Sequence, residues 1–354
     1  MAQNSRIPHA QLLLGPAGSA KLALAIAFAQ YLLCANRGTE DSCGQCGNCK
    51  RTEKFIHPDL HFSFPVIGSK MTSNHYLEEW RNSIADNPYL DVNAWLQSIG
   101  AENKQGNINK DECLNIIKKL NLKSFESNYK ILILWLPEYL QKEGNRLLKL
   151  IEEPPENTIF LLVAEDSEQI LNTILSRCQL VKVKSFSDEE VASELLGRGI
   201  PQSKAQSVAQ LVNGNLSEAF ALSKNQENSN AALFIEWLRK CYKGERVPLV
   251  KWTENFAKIG RENQKYFLQY GLHFMREYMV LKLTGAAQVR LQTDELATAQ
   301  NLSKVIEFDQ IEAITSLFND CAYYVERNAN PKILFLDASI KMHGILRPEK
   351  LARA

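Results

Sequence analysis

Apolar positions along this chain change period as it proceeds, and those changes mark out its elements. Leu12–Leu14 form a short apolar run that stops at a glycine and read as a buried strand. From Ser19 to about Leu33, Leu22, Ala25, Ile26, Ala29 and Leu32 recur at helical spacing. Leu60–Val66 alternates, as a half-buried strand does. Residues 67–107 are polar and irregular and read as an insertion with helices near 74–86 and 91–99. Ile108–Leu122 returns to helical spacing. Tyr129–Trp135 (YKILILW) and Thr158–Ala164 (TIFLLVA) are continuous apolar runs of strand length, the pattern of parallel strands covered on both faces. Between them, the stretch from Asn145 reads as a helix closed by Pro154-Pro155, which cannot continue it.

A short helix over Ile170–Leu175 and a strand over Gln179–Lys184 complete the αβ alternation. Ser187 then reads as an N-cap followed by first-turn acids, Asp188, Glu189 and Glu190. Beyond about residue 226 only helical spacing is left, over Ala231–Tyr242, Gln264–Leu283, Leu302–Val325 and Ile333–Leu346. The polar run Lys224–Asn230 predicts a domain boundary near 225. The expected fold class is α/β: a parallel-sheet domain over 1–184, a small helical unit over 185–225, and an all-α domain over 226–354.

Composition narrows the function classes. The 354 residues are 45% hydrophobic and 23% charged, ordinary for a globular chain. A net charge of +1 supplies no global basic field for autonomous nucleic-acid binding. No apolar run approaches a membrane span and no signal-peptide core opens the chain, so a cytoplasmic protein is expected.

The first candidate chemistry lies between the first strand and helix. Gly15-Pro16-Ala17-Gly18-Ser19-Ala20-Lys21-Leu22 nearly matches G-x-x-x-x-G-K-[ST], in which backbone amides cradle phosphates, Lys reaches the β/γ oxygens and a hydroxyl holds Mg²⁺. Gly15, Gly18 and Lys21 remain to hold a phosphate or only shape the turn. Ala20 replaces the second motif glycine. Leu22 replaces the hydroxyl and cannot ligate a hard cation. The strand over Tyr129–Trp135 ends without the acid that would hold Mg²⁺, and Glu138 comes three residues too late. Both losses fall on the same metal ion, as an abandoned hydrolysis function would predict.

Of eight cysteines, four are clustered: Cys34, Cys43, Cys46 and Cys49, spaced C-x8-C-x2-C-x2-C. Four thiolates satisfy tetrahedral Zn²⁺ with no open position, which points to a structural zinc site. Arg37, Lys50 and Arg51 lie near enough in sequence to offset its net negative charge. Reduced surface cysteines or a redox pair are the alternatives. His57 could join the site, but a turn with an Asx-type bond at Asp59 is the preferred reading of His57-Pro58-Asp59. Trp80, Tyr89 and Trp95 could form a binding surface, though local packing is the more economical use of them.

Asn145-Arg146-Leu147-Leu148-Lys149-Leu150-Ile151-Glu152-Glu153-Pro154-Pro155, followed by Ile170-Leu171-Asn172-Thr173-Ile174-Leu175-Ser176-Arg177-Cys178-Gln179, resembles the AAA+ clamp-loader subunits of bacterial DNA polymerase III. The cysteine module, Arg6–Ala10 (RIPHA) and His57–Asp59 (HPD) fit the same family, over about the first 225 residues. Within it, the degraded P-loop and missing acid resemble the delta-prime branch rather than the ATPase gamma/tau branch. The resemblance implies an AAA+ domain carrying the zinc module at 34–49 and the insertion at 67–107, a lid over 185–225, and a collar over 226–354 that holds five subunits in a ring.

It further implies that Arg177 acts as an arginine finger on ATP in a neighbouring subunit, that ATP/Mg²⁺ is not hydrolysed here, and that Ser217 stands where lids carry a sensor arginine. The expected partners are gamma/tau and delta subunits in a hetero-pentamer and, through it, the sliding clamp and primed DNA. By itself, Arg177 reads as an arginine near a helix C-terminus interacting with its dipole. An atypical active ATPase, a zinc-dependent nucleic-acid-binding module and, for 226–354, a bundle without partners are the rivals. Little of the family's N-terminal segment precedes Arg6, so either the sequence starts short or adenine recognition is also lost.

Overall fold

The computed structural model describes residues 7–101, 104–224, 230–285, 289, 291, 293–303, 305–327 and 329–347. The chain divides into two compact units, 1–224 and 225–354. Arg6 and residues 225–229 of the expected boundary run lie outside the described residues.

The first unit is built on β3 (Lys130–Trp135) and β4 (Thr158–Ala164), every residue of which is buried. Such strands must be covered on both faces. They sit inside a five-stranded parallel sheet with β1 (Ala10–Leu14), β2 (Leu60–Ser63) and β5 (Gln179–Lys182), in the order β2-β3-β4-β1-β5. The register pairs Leu12 with Leu162 and Leu132 with Phe160. Side chains alternate across the sheet. Ile131, Ile133, Trp135, Leu161 and Val163 enter one core with Leu22, Ala25 and Ala29 of α1 (Lys21–Leu33). Leu132, Leu134, Phe160 and Leu162 enter the other with Cys113, Ile116 and Leu120 of α5 (Lys110–Leu120). This is a small parallel sheet covered by helices, as the expected α/β fold class requires.

The 67–107 segment is part of that cover. Its helices α3 (Leu77–Asp86) and α4 (Val92–Ser98) carry Trp80 and Trp95, both fully buried. Trp80 stacks on Phe64 at 4.2 Å, meets Trp95 edge-on at 5.2 Å and lies 5.0 Å from Trp135. Trp95 Nε1 donates to Pro65 O at 2.7 Å. The aromatic residues are packing, not display.

Some expected elements differ. The helix expected from Asn145 is regular only as α6 (Leu148–Glu152); residues 137–147 form 3-10 turns broken at Gln141, whose φ is +47°. β2 ends at Ser63 rather than Val66, and Val66 instead forms an isolated bridge to Asn107. At His57-Pro58-Asp59 the expected Asx-type bond is replaced by a longer reach. Asp59 accepts backbone N–H bonds from Phe125 (2.6 Å), Glu126 (2.8 Å) and Ser127 (2.8 Å), while His57 Nδ1 accepts from Asp59 N. A buried carboxylate satisfies its oxygens wherever amides converge, and here that is the loop entering β3.

After the sheet, Ser187 and Glu190 form a capping box on α8 (Asp188–Gly197). With α9 (Gln202–Leu211) and α10 (Leu216–Lys224), α8 closes a small core around Val191, Leu195, Val208 and Phe220.

Described by itself, the second unit is helical, with a core rich in aromatic residues such as Phe234, Trp237, Phe267 and Phe318. The helix expected over Leu302–Val325 begins only at Phe308, as α15 (Phe308–Glu326), because Glu307 and Gln310 cap it there; a separate helix, α14 (Thr293–Leu302), precedes it. An additional helix, α12 (Arg246–Phe256), tolerates Pro248 in its first turn, where the proline's missing N–H would have no helical partner.

Two outcomes follow for stability. Trp80→Ala is expected to destabilise the first unit by about 3–5 kcal/mol, read as a lowered urea midpoint. The second concerns pH. Burial pushes the His61 imidazole down to about 4, helped by the nearby Lys119 and Lys130. Below an unfolded pKa of about 6.5 the unfolded chain binds the proton that the fold resists, so stability is lost as pH falls. The loss runs from that value towards about 4. Urea midpoints of His61→Gln should show a shallower pH slope across this interval than the unsubstituted chain.

Candidate functional site

The glycine turn leaves β1 at the carboxyl edge of the sheet, where ligands of open α/β folds bind. Gly15 N donates to Ala164 O at 3.1 Å, and a Cβ on Gly15 would lie 2.5 Å from Val183 O. Gly18 has φ +68°, and there a Cβ would fall 1.8 Å from Asn215 Oδ1. Leu216 N donates to Gly18 O at 3.2 Å. The start of α10 therefore packs directly on the turn.

Lys21 is 2% exposed. Its Nζ donates to Pro16 O at 2.8 Å and pairs with Glu165 Oε1 at 3.1 Å. An ammonium that in a working P-loop would reach phosphate is satisfied within the chain. Leu22, at the hydroxyl position, is buried in the sheet core, and Trp135, at the acid position, packs on Trp80 in the same core.

Glu138 is also a structural acid. Its Oε1 accepts the backbone N–H of Glu165 and, at 2.8 Å, that of Asp166. Burial raises its pKa above the usual carboxylate range. Ser217 Oγ accepts from Asn87 Nδ2 at 3.2 Å. Glu138, Glu165 and Lys21 thus form one linked chain of bonds beneath the turn.

The four clustered cysteines come together. Their sulfurs all lie within 4.8 Å of one another, with Cys34–Cys43 at 3.5 Å and Cys34–Cys46 and Cys43–Cys49 at 3.9 Å. A tetrahedral metal–thiolate site with bonds of about 2.3 Å has sulfur–sulfur edges of about 3.8 Å. Backbone N–H groups of Cys43, Cys46 and Cys49 each point at the sulfur of the preceding cluster cysteine, at 3.3, 3.4 and 3.4 Å. For Cys46, burial works upward, but the N–H groups of Cys49 and Ala35 bring the thiol down to about 6; burial pushes Cys49 up to about 12. The set could hold a metal ion, and His57 takes no part in it. Arg51 was expected to offset the thiolates. It is engaged elsewhere, with Glu126 and with Asn48 Oδ1 at 2.9 Å.

Arg177 follows α7 (Asn172–Leu175) on a surface turn. Its Nε donates to Glu152 Oε1 at 2.6 Å, Nη2 pairs with the same oxygen, and Nη1 donates to Thr173 O at 2.6 Å. The bond to Thr173 O is the helix-end contact that a local reading expects. The pair with Glu152 is exposed, at 33% and 44% for the two side chains, and pairs of this kind contribute about 0–1 kcal/mol.

Glu165, Asn215 and Glu152 are the site residues that sequence reasoning passed over. Glu165 had a signal, since it immediately follows β4 at the ligand-binding edge of the sheet. Asn215 and Glu152 carry none, because their roles arise from contacts between segments distant in the chain.

Residues 1–187 match the family described as "DNA polymerase III, delta subunit". The chain is 28% identical over 225 residues to the DNA polymerase III subunit delta' of Bacillus subtilis, covering 64% of this chain and 56% of that one. It is 25% identical to the delta' subunit of Escherichia coli, covering 98% and 92%. It is also 29% identical to the DNA polymerase III subunit gamma of Buchnera aphidicola, covering 52% and 41%. The match spans about half the length of the first of these curated relatives. With more than half of its length matched to the family, on a parallel sheet of the expected kind, the chain belongs to the DNA polymerase III, delta subunit family of clamp-loader-related proteins.

Proposed function

We propose that this chain is a delta-prime-type subunit of the bacterial DNA polymerase III clamp loader, a stator that does not hydrolyse ATP. The observation that carries this reading is the turn at Gly15–Leu22: Lys21 is bound to Pro16 O and Glu165, and Leu22 lies in the hydrophobic core. A phosphate would have to displace the Lys21–Glu165 pair, and Mg²⁺ would find no hydroxyl at Leu22 and no carboxylate at the end of β3. In this reading residues 185–225 are the lid and 226–354 the collar, and the partners are gamma/tau and delta subunits in a hetero-pentamer. Through that assembly the chain acts on the sliding clamp and primed DNA in the cytoplasmic replisome. Among the described residues no helix is long and apolar enough to cross a membrane.

Arg177 is the chain's catalytic contribution in this reading, made to the neighbour's ATP. A guanidinium held by a weak surface pair costs little to redirect, and a phosphoryl group offers more charge than Glu152 does. Glu152 and Thr173 O hold it until then. Zinc bound by Cys34, Cys43, Cys46 and Cys49 supplies no chemistry; it staples the loop between α1 and α2 (Gly47–Glu53). The match to a gamma subunit favours one alternative, an active ATPase with an atypical turn.

The purified chain is expected to show no Mg²⁺-dependent ATP turnover, and clear turnover would restore that alternative. In the reconstituted assembly, Arg177→Ala should leave assembly intact and lower hydrolysis at the adjoining site by about 10³-fold or more. Unchanged turnover with normal assembly overturns the finger. Elemental analysis should find one zinc per chain, lost together with thermal stability in Cys49→Ser; a metal-free chain of undiminished stability contradicts the staple.

A further inference from the structure

Beside the start of β2 lies a cavity of about 200 Å³ that the clamp-loading reading does not use. Its walls include Phe55 and Leu77, and its ionisable lining residues are His57, His61, Arg81 of α3 and Lys119 of α5. All four are basic or imidazole groups, and no carboxylate lines it. Of the acids whose charge reaches the lining groups, Asp59 is turned to the 125–127 amides, Glu126 pairs with Arg51, and Glu112 accepts from Ser73 N and Oγ. Arg81 Nε donates to Phe55 O at 3.1 Å and Lys119 Nζ to Asn74 Oδ1 at 2.6 Å. Neither cation has an ion-pair partner among the described residues.

His57 adds an independent observation. It is 2% exposed, and its Nδ1 accepts the N–H of Asp59 at 3.1 Å. The neutral ring must then carry its proton on Nε2. That Nε2 is buried and has no hydrogen-bond partner. A buried donor without an acceptor costs about 1–3 kcal/mol, so an acceptor in the cavity would remove a standing penalty. The histidine supplies a neutral donor, and Arg81 and Lys119 supply charge.

We propose that this cavity binds a phosphate-class oxyanion, whose oxygens accept from His57 Nε2–H and from the Arg81 and Lys119 side chains. Tetrahedral oxygens can take donors from several directions at once, and a guanidinium and an ammonium are the usual charged donors to them. Burial holds the His57, His61 and Lys119 protons less tightly than usual. The anion could be free orthophosphate or a phosphate of a nucleic-acid strand; the chemistry is shared. The inference stands apart from the stator reading, since it uses neither the glycine turn nor Arg177.

The test is calorimetric titration of the full, zinc-loaded chain with inorganic phosphate against chloride at equal ionic strength, with the His57 and His61 ring signals followed by NMR. Saturable phosphate binding that moves the His57 Nε2–H signal is expected. The Arg81→Gln/Lys119→Gln double variant should weaken it by about tenfold or more. Heat no greater than with chloride, or binding that leaves both histidines unmoved, overturns the proposal. Should the variant fail to fold, the histidine signals of the unsubstituted chain decide alone. A short single-stranded oligonucleotide that competes with phosphate for the same signals identifies a strand phosphate as the occupant, whereas phosphate binding that the oligonucleotide leaves undisturbed identifies the free anion.

Discussion

Two strands with no solvent face, β3 and β4, constrain everything around them in the first unit. Every residue of Lys130–Trp135 and Thr158–Ala164 is buried, so both faces of the sheet centre must be roofed by helices. One roof is α1 together with the 67–107 segment; the other is α5 with the 3-10 and helical turns after β3. Leu22 and Trp135 belong to the first roof. They stand at the two positions where an ATPase would place a hydroxyl and a carboxylate. Packing and metal binding are therefore alternatives at these positions, and this chain has the packing.

Electrostatics follows the same logic of burial. Lys21 at 2% exposure cannot be left without a partner, because desolvation of an ammonium costs several kcal/mol. Glu165 and Pro16 O meet that requirement from within the chain, and Glu138 fixes the backbone that carries Glu165. Arg177 shows the opposite case. Its partner Glu152 is a surface residue, and water screens the pair to little net stability. A pair with a buried member shapes the fold; an exposed pair adds little to it.

Local clamps complete the first unit. The cysteine cluster gathers the loop between α1 and α2, and Asp59 gathers the loop that enters β3. Asp59 gives three backbone N–H groups one carboxylate, whereas in the cysteine cluster each N–H points at a different sulfur. The cavity beside His57 has the reverse arrangement, with basic and imidazole groups and no carboxylate in its lining, which is why it stands out from the rest of the unit.

Much of this was legible in the chain itself. Strand and helix identity came from hydrophobic period, because β3, β4 and α1 are amphipathic or buried in ways that leave one pattern each. The cysteine spacing already implied four sulfurs in one place, and the structure brings them within a tetrahedron's reach. The broken motif at Gly15–Leu22 was visible as a missing hydroxyl. What replaced its ligands was not visible. Glu165 lies 144 positions from Lys21, and Asn215 meets Gly18 across most of the first unit's sequence. The reach of Asp59 to residues 125–127 was misread as a local turn for the same reason. Sequence period encodes which face of an element is apolar; it does not encode which distant polar group will arrive beside it. That pairing is set only when the elements pack, because a buried charge takes whatever partner the tertiary fold brings within hydrogen-bond distance.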